Sequence, residues 1–145
     1  MMVVDSSAII AILFDEPEGS ACTKALEGAS ARLFSAINYV ETGTVLAGRL
    51  TGARRSKAIE ILDEFLTTLG IDIAPVDDRL ARAAMKARIE YGQGFGTRGG
   101  LNFGDCFAYV LAKQHSAPLL YIGNDFGLTD IRSALEVPSP KKPKR

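Results

Sequence analysis

A chain of 145 residues, 47% hydrophobic and 23% charged, has the length and composition of one globular domain with its own core. Two cysteines and one histidine are too few for a disulfide framework or for a zinc site of the Cys/His type. No apolar run approaches the roughly 18 residues of a membrane span, and the first residues lack a basic signal region. We therefore expect a cytoplasmic protein with no membrane contact.

Short apolar runs alternate along the chain with segments whose apolar residues recur at helical spacing. This alternation predicts an α/β fold, with helices packed on a mainly parallel sheet. In chain order we predict a strand at 3–4, helices at 6–14 and 20–26, a weak strand at 33–34, helices at 35–50 and 54–69, a strand at 71–74, a helix at 77–91, a glycine-rich loop at 92–100, a helix at 103–115 and a strand at 119–122.

The charges are unevenly distributed. Of 17 basic residues, four lie in the last five positions, which leaves 13 basic against 17 acidic residues in the rest. An acidic body lacks the basic surface typical of nucleic-acid-binding proteins. If the protein handles RNA, a divalent cation held by carboxylates must neutralise the phosphates. We expect one domain over residues 1–135 and a disordered basic tail over 136–145, because the tail has nothing to bury.

Four acidic residues lie at the ends of predicted strands or in the first turns of predicted helices. Asp5 comes directly after the first strand, and Asp125 lies in the turn after the last. Glu41 lies about two turns into the helix after the second strand, and Asp105 opens a later helix. Because ligands of open α/β sheets bind beyond the carboxyl ends of the strands, we expect these side chains to meet there. Four converging carboxylates repel one another unless a cation lies among them, and hard oxygen ligands select Mg²⁺ or Mn²⁺.

Each acid also has a local explanation. Asp5 could simply cap the helix from residue 6, Asp105 could form a capping box with Asn102, and Asp125 could be only a turn former. Glu41 is harder to explain in this way, because an acid in a largely buried helix needs a partner. The residues taken as its apolar surroundings are Ala36, Ile37, Tyr39, Val40 and Val45.

Several segments together resemble a known family, in their order and separation, up to about residue 131. They are VVDSSA at 3–8, SAINYVE at 35–41, LNFGDCFAY at 101–109, GNDF at 123–126 and TDI at 129–131. With these segments the chain resembles the PIN-domain ribonucleases, and within them the VapC toxins of VapBC toxin–antitoxin systems of bacteria.

The resemblance implies a PIN-like three-layer sandwich and a Mg²⁺- or Mn²⁺-dependent endoribonuclease. It also implies a VapB-like antitoxin as partner and a homodimer. Among the residues, it implies that Asp5, Glu41, Asp105 and Asp125 form the acidic quartet and that Ser7 hydrogen-bonds within the site. We count Asn102 with Ser7 as a supporting residue.

Two further features lie near the expected site. Asp130 could be an outer ligand through water, or it could cap the final short segment. Similar sequences often carry a basic residue where this chain has Ile122, and the loop at 97–100 also varies among them. Both differences leave the acids intact and put the substrate preference in doubt.

The expected chemistry is hydrolysis of RNA phosphodiester bonds by metal-activated water. Asp5 and Asp105 are the predicted direct ligands, and Glu41 and Asp125 would complete the shell or orient the water. A histidine is then not required, and we interpret His115 as a helix-end residue favoured by the helix dipole.

Substrate contacts are less defined by the sequence. Arg98, in the glycine-rich loop, is the strongest candidate for a phosphate contact. Arg79, Arg82 and Lys86 form a stripe on one helix, which could equally be an ordinary solvated face. The segment at 94–99 matches G-x-G-x-x-G but follows a helix instead of a strand, so we reject a dinucleotide site. Three functions besides a ribonuclease stay open: a PIN-like binding module without cleavage, a Mg²⁺-dependent phosphohydrolase, or a nuclease acting on another nucleic acid.

Overall fold

The centre of the protein is a four-stranded parallel sheet. A computed structural model describes residues 1–95 and 99–135. The strands are β1 (Met2–Val4), β2 (Arg32–Ser35), β3 (Ile71–Ala74) and β4 (Leu119–Leu120), in the spatial order β3-β2-β1-β4. β1 therefore pairs on both sides, and its end leads directly into the predicted site.

Six α-helices and one 3₁₀ segment connect the strands in the described part of the chain. They are α1 (Ser6–Leu13), α2 (Gly19–Glu27), α3 (Ala36–Arg49), the 3₁₀ segment Gly52–Lys57, α4 (Ala58–Thr68), α5 (Asp78–Tyr91) and α6 (Phe103–Gln114). Polar side chains that accept hydrogen bonds from the first turn explain where four of these helices begin. These N-caps are Asp5, Ser35, Asp77 and Asn102.

Helices cover both faces of the sheet, which confirms the predicted α/β sandwich of three layers. Neighbouring residues of a strand point to opposite faces, and β1 shows this directly. Val3 packs in a core with residues of α5 and α6, whereas Val4 packs in a second core with residues of α1, α2 and α4. Both valines are fully buried, so β1 contributes to both cores.

Two predicted elements differ in extent. The helix predicted at 54–69 begins as the 3₁₀ segment and becomes α-helical only at Ala58. The strand predicted at 119–122 ends at Leu120, because the backbone N–H of Ile122 is bound to the hydroxyl of Ser7 and not to a neighbouring strand. This early end directs the chain after β4 towards the start of α1.

The predicted tail at 136–145 and residue Arg98 lie outside the described residues, so their proposed roles stay predictions. Among residues 1–95 and 99–135, no helix is both long and apolar enough to cross a membrane.

Candidate active site

Asp5 is the most buried of the four predicted acids, with 3% of its surface exposed. It caps α1: its Oδ2 accepts hydrogen bonds from the backbone N of Ser7 at 3.1 Å and from the Ser7 hydroxyl at 2.6 Å. Its other oxygen, Oδ1, is buried and has no hydrogen-bond partner among the described residues. Capping therefore explains one oxygen of Asp5 and leaves the second available to a ligand.

Burial raises the pKa of Asp5 to about 6, and the charge of Glu41 contributes in the same direction. The hydrogen bonds from Ser7 oppose this rise because they stabilise the ionised carboxylate. The Ser7 hydroxyl also accepts from the backbone N of Ile122 at 3.0 Å. Ser7 thus joins Asp5 to the segment that leads to Asp125.

Asp105 lies in the first turn of α6, where it forms the predicted capping box with Asn102. Its Oδ2 accepts from the Asn102 backbone N at 3.0 Å, and the Asn102 Oδ1 accepts from the Asp105 backbone N at 2.9 Å. Burial, together with the charges of Asp5, Asp125 and Glu41, raises the pKa of Asp105 to about 7. The four acids are therefore close enough for their charges to repel one another.

Glu41 lies against the start of α6. A β-carbon built on Gly104 would lie 2.1 Å from Oε2 of Glu41, so the carboxylate occupies the space that a side chain at position 104 would need. The Oε1 of Glu41 lies 3.4 Å from Nδ2 of Asn38. Gly104 directly precedes Asp105, and this contact brings α3 and α6 together at the site.

One of the residues predicted to surround Glu41 is on the outside of the helix. Val40 is 63% exposed, and Glu41 itself is only half-buried. The buried face of α3 consists of Asn38, Thr42 and Leu46. Sequence reasoning therefore missed Asn38, which is fully buried beside the site. The available signal was the spacing of three residues between Asn38 and Glu41, because residues three apart in a helix share a face.

Asp125 lies in the exposed turn after β4, where Phe126 is buried. Its Oδ1 lies 3.7 Å from the position of a β-carbon built on Gly100. The turn and the residues just before α6 thus lie side by side, and the charge of Asp125 reaches Asp105.

The acids fit a divalent cation by their chemistry but are not arranged around one. In the described parts of the chain, no three His, Cys, Asp or Glu side chains could hold a metal ion as they stand. The donors are all carboxylate oxygens, which suit Mg²⁺ or Mn²⁺, and the buried Oδ1 of Asp5 lacks any partner among the described residues. Coordination would therefore require side-chain rotation, for which the exposed Asp125 has room.

Comparison with known proteins identifies the family of this chain. The PIN domain family matches residues 2–131 of the chain. Ribonuclease VapC28 of Mycobacterium tuberculosis is 44% identical over 136 residues, which are 93% of this chain and 98% of that protein. Ribonuclease VapC30 of the same species is 42% identical over 90% of this chain and 95% of that protein. The chain belongs to the VapC ribonucleases of the PIN-domain family.

Solved structures of low sequence identity share the PIN fold. The toxin VapC20 of Mycobacterium tuberculosis, described as cleaving the sarcin–ricin loop, aligns with a TM-score of 0.70 at 12% identity, over 90% of this chain and 96% of that one. A toxin–antitoxin complex from Klebsiella pneumoniae aligns with a TM-score of 0.65 at 20% identity, over 94% of this chain and 100% of that one.

Asp130 of this PIN domain contacts α6, and its charge is not among those that raise the pKa of Asp105. It accepts hydrogen bonds from the Tyr109 hydroxyl at 2.5 Å and from Lys113 Nζ at 2.8 Å, both in the C-terminal half of α6. The final segment is capped by Thr129, whose hydroxyl accepts from the backbone N of Ile131. Thr129 therefore takes the predicted capping role of Asp130, and the role of Asp130 as an outer ligand through water stays a prediction.

The predicted basic stripe is present on the surface. Arg79, Arg82 and Lys86 are exposed on α5. No contact within residues 1–95 and 99–135 links them to the acids, so their contact with RNA stays a prediction. His115 is the exposed C-cap of α6, at the opposite end of that helix from Asp105, as predicted.

Proposed function

We propose that this chain is a divalent-metal-dependent endoribonuclease and the toxin of a bacterial toxin–antitoxin pair, acting in the cytoplasm. Its membership of the VapC ribonucleases supports the reaction class. The observation that carries the metal site is the buried Oδ1 of Asp5, unpartnered among the described residues and close to Asp105, with the pKa of both acids raised. Such a group is costly to bury unless a ligand neutralises it.

In this proposal Asp5 and Asp105 hold Mg²⁺ or Mn²⁺ directly. When bound, the cation supplies neutralisation of the scissile phosphate and activation of water. Ser7 favours the ionised form of Asp5 through its two hydrogen bonds, and the capping box fixes the orientation of Asp105. Glu41 and Asp125, the two less buried acids, complete the ligand shell or orient the attacking water.

The proposed partners are an RNA substrate, a VapB-like antitoxin that blocks the site, and a second copy of the chain. Arg79, Arg82, Lys86 and Arg98 are the proposed phosphate contacts. One structural neighbour is a toxin–antitoxin complex, which supports an antitoxin partner. Outside its last five residues the chain carries more acidic than basic residues, so the cation must supply much of the attraction for RNA.

The test is cleavage of total and structured RNAs by the purified chain, freed of co-purifying protein, in Mg²⁺, Mn²⁺ or EDTA. Asp5→Asn keeps the cap but removes the charge. The matched control is Asp15→Asn, because Asp15 is exposed beyond the far end of α1, roughly 15 Å along the helix. Its φ of 51° lies in the left-handed region, which asparagine tolerates.

Cleavage that needs Mg²⁺ or Mn²⁺, is abolished by Asp5→Asn and is retained by Asp15→Asn is the expected result. Cleavage that Asp5→Asn leaves intact would contradict the acidic site. Cation binding with no RNA cleavage would favour a binding module. Cleavage of DNA alone would favour a deoxyribonuclease, and cleavage of a small phosphate ester alone would favour a phosphohydrolase.

A further inference from the structure

A buried contact between α3 and α6 involves Asn38, which lies in the first turn of α3 and has no exposed surface. Its Nδ2 donates to the carbonyl oxygen of Gly104 at 3.1 Å, across 66 residues of sequence, and lies 3.4 Å from Oε1 of Glu41. The backbone oxygen of Asn38 accepts from the Ser6 hydroxyl at 3.3 Å. One residue thus connects the starts of α1, α3 and α6.

The orientation of the Asn38 amide follows from its neighbours. Both atoms near Nδ2, the Gly104 oxygen and the Glu41 carboxylate, can only accept hydrogen bonds, and the amide nitrogen has two hydrogens to donate. A flipped amide would place its oxygen against two acceptors. The side-chain oxygen of Asn38 is buried and has no partner in the described residues. The hydrogen bonds that Nδ2 donates therefore account for the orientation of the Asn38 side chain, and its oxygen does not contribute.

Gly104 complements Asn38 on the other side of the same carboxylate. A β-carbon at this position would lie 2.1 Å from Oε2, 2.7 Å from Oε1 and 2.6 Å from Cδ of Glu41. These are the three nearest atoms, and all belong to the end of one flexible side chain. A methyl group at position 104 would therefore displace the Glu41 carboxylate, whereas the backbone of α6 could stay in place.

We infer that Asn38 and Gly104 are positioning residues that together fix the Glu41 carboxylate for cation binding. Asn38 holds the carboxylate through its N–H groups, and Gly104 leaves the space in which it lies beside Asp105. The inference rests on the proposed function, since the carboxylate being positioned is one of the proposed ligands. Residues that orient metal ligands typically change metal affinity about 10- to 100-fold when they are replaced.

The experiment measures Mn²⁺ affinity of the full chain by electron paramagnetic resonance, and melting temperature in EDTA, for two single variants. Asn38→Leu keeps a similar shape and removes the donor. Gly104→Ala adds only the methyl group, and alanine favours a helix more than glycine does. The control Thr42→Val alters a fully buried residue one turn further along α3, whose hydroxyl has no partner among the described residues.

We expect Asn38→Leu and Gly104→Ala each to weaken Mn²⁺ binding about 10-fold or more, and Thr42→Val to change it less than about twofold. Gly104→Ala should not lower the melting temperature, which separates a displaced ligand from a damaged fold. In a Glu41→Ala background, where the carboxylate is gone, neither change should weaken Mn²⁺ binding further by more than about twofold.

Wild-type Mn²⁺ affinity in Gly104→Ala would overturn the inference, and so would effects that multiply in the Glu41→Ala background. Should Asn38→Leu fail to fold, Gly104→Ala and its double variant with Glu41→Ala still test whether the position of the Glu41 carboxylate determines Mn²⁺ affinity. A wild-type chain that binds no Mn²⁺ would overturn the proposed function and this inference together. Normal wild-type binding with independent effects would overturn the inference alone.

Discussion

The two ends of α6 each hold an aspartate, in opposite surroundings. At the N-terminal end, Asp105 is buried near three other acids, and burial together with those charges raises its pKa to about 7. At the C-terminal end, Asp130 receives hydrogen bonds from Lys113 and Tyr109, which lower its pKa below the usual value. The same residue type is thus disfavoured as an anion at one end of the helix and favoured at the other.

Asp130 therefore stabilises the fold as an anion, whereas Asp105 destabilises it. Asp130 has a cation and a hydroxyl within hydrogen-bond distance, so its charge is already compensated. The Asp105 carboxylate accepts one backbone N–H, from Asn102 in the capping box, and otherwise faces repulsive charges. Groups held in this unfavourable state cluster at functional sites. Changes at either end of α6, and at Asp5 beside it, should therefore differ in what they alter and by how much.

The largest effect is expected on RNA cleavage. Asp105→Asn should lower the rate about a thousandfold or more, since a lost metal ligand forfeits several kcal/mol of transition-state stabilisation. Asp130→Asn, the same change at the other end of α6, should leave the rate within about twofold. Single-turnover cleavage assays with Mn²⁺ measure both variants. Equal losses in the two would remove the distinction between the two ends of the helix.

The second effect is the pH dependence of Mn²⁺ affinity. Protons and the cation compete for Asp5 and Asp105, whose pKa values are about 6 and about 7. Affinity should therefore rise on the order of 100-fold between pH 5.5 and pH 8. Calorimetric titrations at several pH values provide the curve. A flat profile would indicate that these two acids are not the ligands.

The third effect concerns stability in EDTA. Because the folded-state pKa of Asp5 is raised, the folded chain retains a proton that the unfolded chain has released, so stability falls as pH rises from about 4 to about 6. Between pH 4.5 and pH 7.5 this one group should account for a loss of about 2 kcal/mol.

Asp5→Asn removes that group, so the variant should be more stable than the wild type at pH 7.5, and the difference should shrink at pH 4.5. Urea unfolding at the two pH values measures it, with Asp15→Asn as control. A wild type that is more stable than Asp5→Asn at pH 7.5 in EDTA would refute the unfavourable charge at this position.

The fourth effect is at the C-terminal end of α6. Tyr109→Phe removes the buried hydroxyl that donates to Asp130, which should lower the free energy of unfolding by about 1–2 kcal/mol. Mn²⁺ affinity should be unchanged. Tyr121→Phe serves as the control, because the half-buried Tyr121 hydroxyl has no hydrogen-bond partner in the described residues. A loss of Mn²⁺ affinity in Tyr109→Phe would contradict this expectation, because it would show that the two ends of α6 influence each other.

The smallest effect is expected for Lys113→Met. Both partners of the Lys113–Asp130 ion pair are largely exposed, and such pairs contribute about 0.5 kcal/mol. The loss should diminish in high salt, because exposed charges are screened. Urea unfolding in low and high salt gives the comparison. A loss above about 2 kcal/mol would mean that Asp130 depends on Lys113 more than on Tyr109.

Local signals in the sequence account for the correct predictions. Caps and turns are determined by residues a few positions apart, so the helix starts at Ser35 and Asp77 and the box between Asn102 and Asp105 could be predicted. The position of Asp5 at the end of a short apolar run likewise placed it at the edge of the sheet. The family resemblance, carried by short segments in a fixed order, was confirmed by the comparisons.

Contacts between distant segments account for the errors. Nothing near Asp130 in sequence indicates that Tyr109, 21 residues earlier, would bind it. The contact of Asn38 with Gly104 and the capture of the Ile122 N–H by Ser7 join still more distant positions. The exposure of Val40 shows a further limit, because an apolar residue type does not determine which face of a helix is buried.

The strand order has a consequence for how the protein is made. Among the four strands of the described sheet β1 is synthesised first, yet one of its two neighbours is β4, which is synthesised after the other three. A growing chain exposes Asp5 early but obtains Asp125 only 120 residues later, roughly ten seconds at ordinary rates of translation. Until then the four carboxylates cannot assemble. The ribosome that makes this nuclease is thus separated from its activity until the turn after β4 has been synthesised.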